Sequence, residues 1–508
     1  MGIGSALSIA TGGIANINKQ LALVSNNVAN ASTPGYAVET STQTSIVGDG
    51  VGLGVFTGPA QRQIDQALND SLTQQNAAVS SLTTTQTALQ SIDAVLGTVG
   101  QGNDLGGMLN ALQGQFSTLL TDPSSQAGQT AVVSAAGTLA SGINTLSAAY
   151  TQQRQVAQSS LVSQVATLNQ TLLTIGQLSN NIVAAVPGGQ GTAGLENQRD
   201  AAVQVLSGLL DIKTIQQPNG DLQIYTAAGT ELPTRTLTPP FSLAGGSAQP
   251  GSYFPGNGLS GIMVGGTDVT AGMVGGSIGA NLTLRDTTLP TDQASLDEFS
   301  YNLASRFAAQ GLTLFSDPTG AVPSGGGSPV QGSYVGFAAS IQVNPAVLIA
   351  PALVRDGTNT IAGSPTGAST FTPNPSTGPA SFTTMISRVL DFALGSAVQN
   401  GVPQPPFHTS GLGPSGTLTA PFTGDATLAN YAADMTAAQS AQSASATSQL
   451  STEQAVQTSL RNQVNTVSGV NMDTEMANMI TLQNAYGANA RVITALQSMF
   501  NQLLQAVQ

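Results

Sequence analysis

The residues best placed by type and spacing to do covalent chemistry are Gly275-Gly276-Ser277-Ile278-Gly279. This order would set a serine hydroxyl on a sharp turn as a nucleophile. Such a serine needs a base, and the single histidine, His408, stands in a proline-rich stretch from Pro403 to Pro414 with no scaffold signal around it. The expectation is therefore a glycine turn ahead of a strand or helix, with His408 a surface side chain. Cysteine is absent, which removes disulfides and thiolate metal sites. The carboxylates are sparse and scattered, so no pair suggests general acid–base work. Gly48, Gly50, Gly52 and Gly54 form a glycine-rich run without the dinucleotide fingerprint and read as a turn-rich connection. The sequence thus presents no catalytic residue, no cofactor site and no metal site, and an enzyme is not expected.

Composition narrows the classes further. Charged residues make up 7% of the 508, against about 25% in an ordinary soluble protein. The net charge is −13, and the lysines are Lys19 and Lys213. Phosphate binding needs clustered Lys and Arg, so no nucleic acid partner is expected. An anionic membrane surface is disfavoured for the same reason. No run of about 18 apolar residues spans a bilayer, and the N-terminus lacks the basic region and apolar stretch of a cleaved signal peptide. Ser, Thr, Asn, Gln and Gly solvate the surface instead. That surface suits contact with copies of itself.

The elements that could position such contacts lie at the two ends. Ile3, Leu7, Ala10, Ile14, Ile17, Leu21, Val24 and Val28 recur at alternating steps of four and three, a coiled-coil seam. Pro34-Gly35 should end it in a type II turn. Met472, Met476, Met479, Gln483, Tyr486, Ala490, Ile493, Gln497, Phe500, Leu504 and Val507 repeat the spacing at the other end. Leu482, Ala485, Val492, Leu496, Met499 and Leu503 form a second stripe beside it, making a face too wide for one partner helix. Asn471 is the expected N-cap, with Asp473 and Glu475 in the first turn complementing the helix dipole. An isolated helix of this kind is marginal in water, so both ends are expected to be disordered or frayed alone and to fold on assembly.

Further helices are expected over about 64–96, 132–182 and 428–467, and over about 293–310, where Leu296, Phe299, Leu303 and Phe307 share a face. Ile212 to Tyr225, with Pro218-Asn219-Gly220-Asp221 at its centre, reads as a hairpin. The fold class is multidomain α+β: terminal helices forming a coiled-coil or helical bundle core, with β-rich inserted outer domains. The expected division is 1–60 with 466–508 as a terminal assembly domain, and 61–186 with 426–465 as a helical core. Residues 187–315 would form a β-rich domain with one helix, and 316–425 a Gly/Pro-rich outer insert.

Val24-Ser25-Asn26-Asn27-Val28-Ala29-Asn30-Ala31-Ser32-Thr33-Pro34-Gly35-Tyr36 closely resembles the N-terminal motif shared by flagellar rod, hook and hook-associated proteins. Ser468 to Asp473, Gln483 to Tyr486, Asn489 to Ile493 and Met499-Phe500 resemble the end of the FlgK family of hook-associated proteins. Gly52 to Val55 with Gln61-Arg62, Glu196 to Asp200, Gly275 to Gly279 with Leu284 to Asp286, and Val343-Asn344-Pro345 agree with that family. The likeness covers roughly 1–315 and 425–508. It implies a structural adaptor between hook and filament on the extracellular flagellum, exported unfolded through the type III channel. It also implies self-assembly into a ring, contacts with the hook protein and a second hook-associated junction protein, and a FlgN-type chaperone on the C-terminal region. Alternatives are a hook or distal rod protein, which shares the N-terminal motif, an adaptor with an adhesin-like outer domain, and an enzyme borne on the insert.

The assembly interface is expected to comprise Ile3, Leu7, Ile14, Ile17, Leu21, Val24, Val28, Pro34, Gly35 and Tyr36 at one end. Met472, Met476, Met479, Tyr486, Ile493, Phe500 and Leu504 form the other. Asn26, Asn27 and Asn30 are read either as fraying the helix before the turn or as fixing register between subunits, as a buried Asn does in coiled coils.

Overall fold

The computed structural model describes residues 3–33, 35–48, 51–97 and 101–506. The first seam folds into helix α1 (Ile3–Asn30). Gly35 takes φ 78° just beyond it, the left-handed value a type II turn demands. Pro34, Gly50, Val507 and the side chain of Ile3 lie outside the described residues.

An antiparallel hairpin follows, β1 (Glu39–Gly48) and β2 (Val51–Arg62), with Glu39 opposite Arg62 and a register shift between Ile46 and Val47. This corrects the reading of the glycine run as a turn-rich connection: Gly48, Gly52 and Gly54 belong to the strands, near the distal end. Helix α2 (Gln66–Leu96) is capped by Asp65, whose carboxylate accepts from Leu68 N at 3.1 Å. Helix α3 (Leu105–Thr121), not anticipated from the sequence, leads to α4 (Gln126–Ala185), which spans 60 residues. Then come α5 (Ala193–Leu209) and the expected hairpin, β3 (Ile212–Gln216) with β4 (Leu222–Thr226), whose turn places Gly220 at φ 86°.

Beyond a loop-rich stretch, α6 (Gly276–Thr283) passes through a π-helical turn at Leu284–Thr288 into α7 (Leu289–Ala309). Short helices α8 (Pro345–Ile349), α9 (Leu353–Asp356) and α10 (Thr384–Arg388) punctuate the proline-rich region, whose strands are only two or three residues long. The chain returns through α11 (Leu428–Ser468) and ends in α12 (Met472–Ala506).

Two hydrophobic cores share α4. Its first half packs Leu139, Ile143 and Tyr150 with Phe116 of α3, Phe299 and Phe307 of α7, and Tyr431 of α11. Its second half packs Leu161, Leu168 and Ile175 with Leu206 of α5, Ile224 of β4 and Ile278 of α6. Arg154 lies between them, buried, donating to the carbonyls of Arg285, Gln249 and Ser252, each at 2.9 Å. Arg285 in turn holds Asp286 with two bonds of 2.7 Å.

Two expectations about the middle need correction. Residues 187–315 hold three helices, α5, α6 and α7, because α7 is recruited into the first core by Phe299, Leu303 and Phe307. Residues 316–425 do not make a separate outer insert: Phe337, Val347, Phe371, Met385, Ile386 and Phe407 are buried in that same core. A Gly/Pro-rich segment can contribute a few large side chains to a core built elsewhere without making regular elements of its own.

Candidate assembly interface

α12 runs antiparallel along α1, with Gly13 facing Asn489 and Tyr36, just past the end of α1, near Glu475. On α1 the seam faces inward: Ala10, Ile17 and Val24 are buried, and Leu7, Ile14, Leu21 and Val28 half-buried. On the other flank of α1 lies β2, tied to it by Asn16 Nδ2 donating to Val55 O.

On α12, burial falls on Glu475 and Leu496, with Met479, Leu482, Ala485, Asn489, Ala490 and Ile493 half-buried. One helix partner thus takes a strip drawn from both expected stripes. Met472, Met476, Tyr486, Phe500 and Leu504 remain exposed, together with Ile480 at 57%, Val492, Met499 and Leu503 at 54%. The hairpin adds Ile46, Val47, Leu53, Val55 and Phe56, all exposed. This much apolar side chain in solvent is unusual outside interaction surfaces.

At the base of the terminal layer, polar groups lock it to the body. Asn27 is buried; its amide donates to Glu39 O at 2.9 Å and its carbonyl accepts from Glu39 N at 3.0 Å and from the Tyr36 hydroxyl at 2.9 Å. Its carboxamide is therefore occupied within the chain. Asn30 Nδ2 bonds the carbonyls of Asn26 at 3.0 Å, so these two rest on the helix surface. Asn197 of α5 repeats the pattern, donating to Ala37 O and to Glu39 Oε1 at 3.1 Å and accepting from Ala37 N at 3.2 Å. Arg62 bridges Glu196 at 2.9 Å and Asp200 at 2.5 Å. Gln61-Arg62 and Glu196 to Asp200, separate landmarks along the chain, so meet at one place. Burial pushes the Glu39 carboxyl up, against the hydrogen bonds from Asn197 and Asn26 and the charge of Arg62. Burial also pushes the Tyr36 phenol up, with Glu39 and Glu475 adding to it.

The other candidate chemistry does not converge. Gly275 and Gly276 adopt φ 69° and 58° to start α6, and Ser277 sits in its first turn. His408 Nδ1 lies 3.1 Å from Glu298 Oε1, on a side chain 55% exposed. Among the described residues no group of three or more His, Cys, Asp or Glu could hold a metal. Among them, too, no helix is long and apolar enough to cross a membrane. Sequence reasoning missed Glu39 and gave Asn197 no role; the alternation of Glu39 to Val47 was the available signal for the hairpin.

Comparison with known proteins shows which flagellar proteins the chain resembles. Residues 7–36 match the flagella basal body rod protein family, 89–321 the helical domain of flagellar hook-associated protein FlgK, and 462–506 the C-terminal region of flagellar basal body rod FlgEFG proteins. Over its helical body the chain resembles the FlgK family of flagellar hook-associated proteins. Flagellar hook-associated protein 1 of Salmonella typhimurium is 24% identical over 321 residues, 60% of this chain and 56% of that one. The Bacillus subtilis protein of that name is 25% identical over 222 residues, 41% of this chain and 44% of its own. The chain therefore spans about half the length of the curated relatives it matches. Among solved structures, the flagellar hook junction protein FlgK from Burkholderia pseudomallei aligns at 25% identity and TM-score 0.39, covering 50% of this chain and 46% of that one. FlgK-family chains are structural flagellar components rather than an enzyme family.

Proposed function

We propose that this chain is a structural adaptor at the hook–filament junction, assembling with copies of itself through α1 and α12. The observation that carries the reading is the exposed apolar row on α12, from Met472 to Leu504, left uncovered once α1 has packed. A monomer gains nothing by holding these side chains in water; a neighbour that covers them does. Residues 1–60 with 466–508 act as the assembly unit, and the two cores sharing α4 as the body. The expected assembly residues Leu7, Ile14, Ile17, Leu21 and Val24 act within the chain by seating α12. Met472, Met476, Tyr486, Phe500 and Leu504 meet other subunits.

The same reading places the protein on the extracellular flagellum, reached unfolded through the type III channel. The hook protein and a second hook-associated junction protein adjoin it there. Before export, a FlgN-type chaperone holds the C-terminal region, whose exposed methionines suit successive partners. No chemistry, nucleic acid or membrane enters this function.

The test compares the full chain with residues 64–466 by sedimentation and circular dichroism across concentration. Association of the full chain as concentration rises, with a trimmed chain that stays folded and monomeric, supports the reading. Equal behaviour of the two chains at every concentration refutes it.

A further inference from the structure

A cavity of about 710 Å³ lies where the terminal layer meets the body, walled by the turn after α1, the end of α11, α2, α5 and the β3–β4 hairpin. Its size is that of small-molecule sites. Among the described residues, the charged side chains that line it are Arg62, Asp70, Arg199, Asp200 and Arg461. Arg62 is spent on Glu196 and Asp200, and Asp70 accepts from Gln66 Nε2 at 2.9 Å. Arg199 and Arg461 are in no ion pair found among the described residues. Arg461 is exposed. Arg199 is 1% exposed; its Nη1 donates to Gly220 O at 2.7 Å, but its buried Nε has no hydrogen-bond partner among the described residues. A buried guanidinium with donors left unmet carries the desolvation cost of a charged group. Burial pulls Arg199 down from its ordinary value, and the nearby carboxylates of Asp200 and Glu196 oppose this without bonding to it. The contrast is with Arg154, also buried, whose guanidinium meets three carbonyls.

We propose that this cavity binds an aliphatic carboxylate, whose oxygens accept from Arg199 and Arg461 and whose stem lies against Leu72, Val203 and Val464. Two guanidiniums without a carboxylate call for an anion, and the fork of an arginine fits the two oxygens of a carboxylate. Asp70 and Asp200 in the same wall oppose a second negative charge, which disfavours phosphate. Leu72, Val203 and Val464 offer nothing to an inorganic ion, but they can cover a short hydrocarbon stem. A free short-chain acid and a glutamate side chain on a second copy present this same chemistry. Tyr36 and Val470, from the two crossings between terminal layer and body, line the cavity too, so a bound carboxylate bears on the joint between them. The site itself does not depend on the reading that the terminal helices assemble.

Thermal unfolding of the full chain with added isovalerate tests this, with isovaleramide and inorganic phosphate as controls at one ionic strength. Isovalerate should raise the midpoint progressively with its concentration, and the two controls should not. Arg461→Gln, at an exposed position, should bind isovalerate about tenfold more weakly, the worth of a hydrogen bond to a charged group. Arg491→Gln, an exposed arginine of α12 outside the cavity wall, should bind it like the unaltered chain. No rise with isovalerate, an equal rise with the amide, or equal weakening by the two substitutions overturns the proposal. Sedimentation with and without isovalerate then separates the sources. Self-association lost as isovalerate is added assigns the site to a glutamate of a second copy; self-association unchanged assigns it to a free acid. A full chain that binds isovalerate and never associates keeps the site and overturns the assembly reading.

Discussion

Asp292 and Asp297 show how far single residues here depart from their surface roles. Both are buried on α7, and burial pushes each carboxyl up to about 7. Asp297 stays that high although Gly336 N and Ala338 N donate to it at 2.7 and 2.9 Å, since those bonds favour the charged form and only partly offset desolvation. Between the ordinary carboxylate value, about 4, and about 7, the folded chain holds protons that the unfolded chain has released. Stability must therefore fall as pH rises through that window, and be fully present below it. Urea denaturation should give a higher midpoint at the acid end of the window than at the neutral end, and Asp292→Asn should flatten the slope. A second residue-scale expectation concerns Asn27. Asn27→Ala strands the amide and carbonyl of Glu39 in a buried place, a cost of about 1–3 kcal/mol. Hydrogen exchange at the Glu39 amide should accelerate while exchange in α4 is unchanged.

Among the elements, α12 is divided between two duties by its own geometry. A helix facing one partner buries a strip, and this sequence carries apolar residues on more than that strip. Leu496 is covered by α1, whereas Phe500 and Leu504, one and two turns further along the same side, lie beyond the start of α1 and are exposed. Leu496→Ala should loosen α12 from α1 and lower the helicity of the monomer. Phe500→Ser with Leu504→Ser should leave monomer unfolding within about 0.5 kcal/mol while self-association drops. Equal effects of the two changes on both readouts would contradict this division. The α2–α11 pairing is of another kind. Gln75 binds Glu453 O at 2.8 Å, Gln457 binds Asn76 at 2.8 Å, and Gln86 reaches Thr447 at 3.3 Å. Along this length, side-chain amides join the helices beside a thin line of buried apolar residues, Leu89 of α2 and Ala446 and Leu450 of α11 among them.

For the molecule as a whole, α4 is the rod on which both cores are threaded, and Arg154 is the joint between them. Burial, with Arg285 beside it, brings the Arg154 guanidinium down to about 10 even against the pull of Asp286, yet three carbonyls keep it hydrogen-bonded. Arg154→Met keeps much of the volume and strands those acceptors, at a cost of about 3 kcal/mol. Calorimetry should then resolve two transitions, one for each core, where the unaltered body gives one. A single transition with an unmoved midpoint would show that the cores are coupled by other contacts.

Much of this was legible in the residues themselves. Seam spacing marked α1, α4, α7 and α12, because helical periodicity is a local property of the chain. Pro218 to Asp221 marked the β3–β4 turn, and Asn471 caps α12 by accepting from Asp473 N and Thr474 N at 3.1 Å, as its position foretold. What tertiary structure alone decided is non-local. Leu296, Phe299, Leu303 and Phe307 announced one apolar face of α7, but the helix is wrapped all round, its Glu298 reached by Tyr334 at 2.7 Å and by the backbone of His408 at 3.0 Å. Polar residues on a helix read as solvent-facing until the segments that bury and satisfy them are known, and those segments come from 36 and 110 residues further along the chain. The same holds at the terminal layer, where Asn27 was open to an intersubunit role until Tyr36 and Glu39 were found to fill its hydrogen bonds. Local pattern determined which segments are helices and that two of them carry more apolar face than one partner covers. Only packing decided which of those side chains α1 takes and which are left for another molecule.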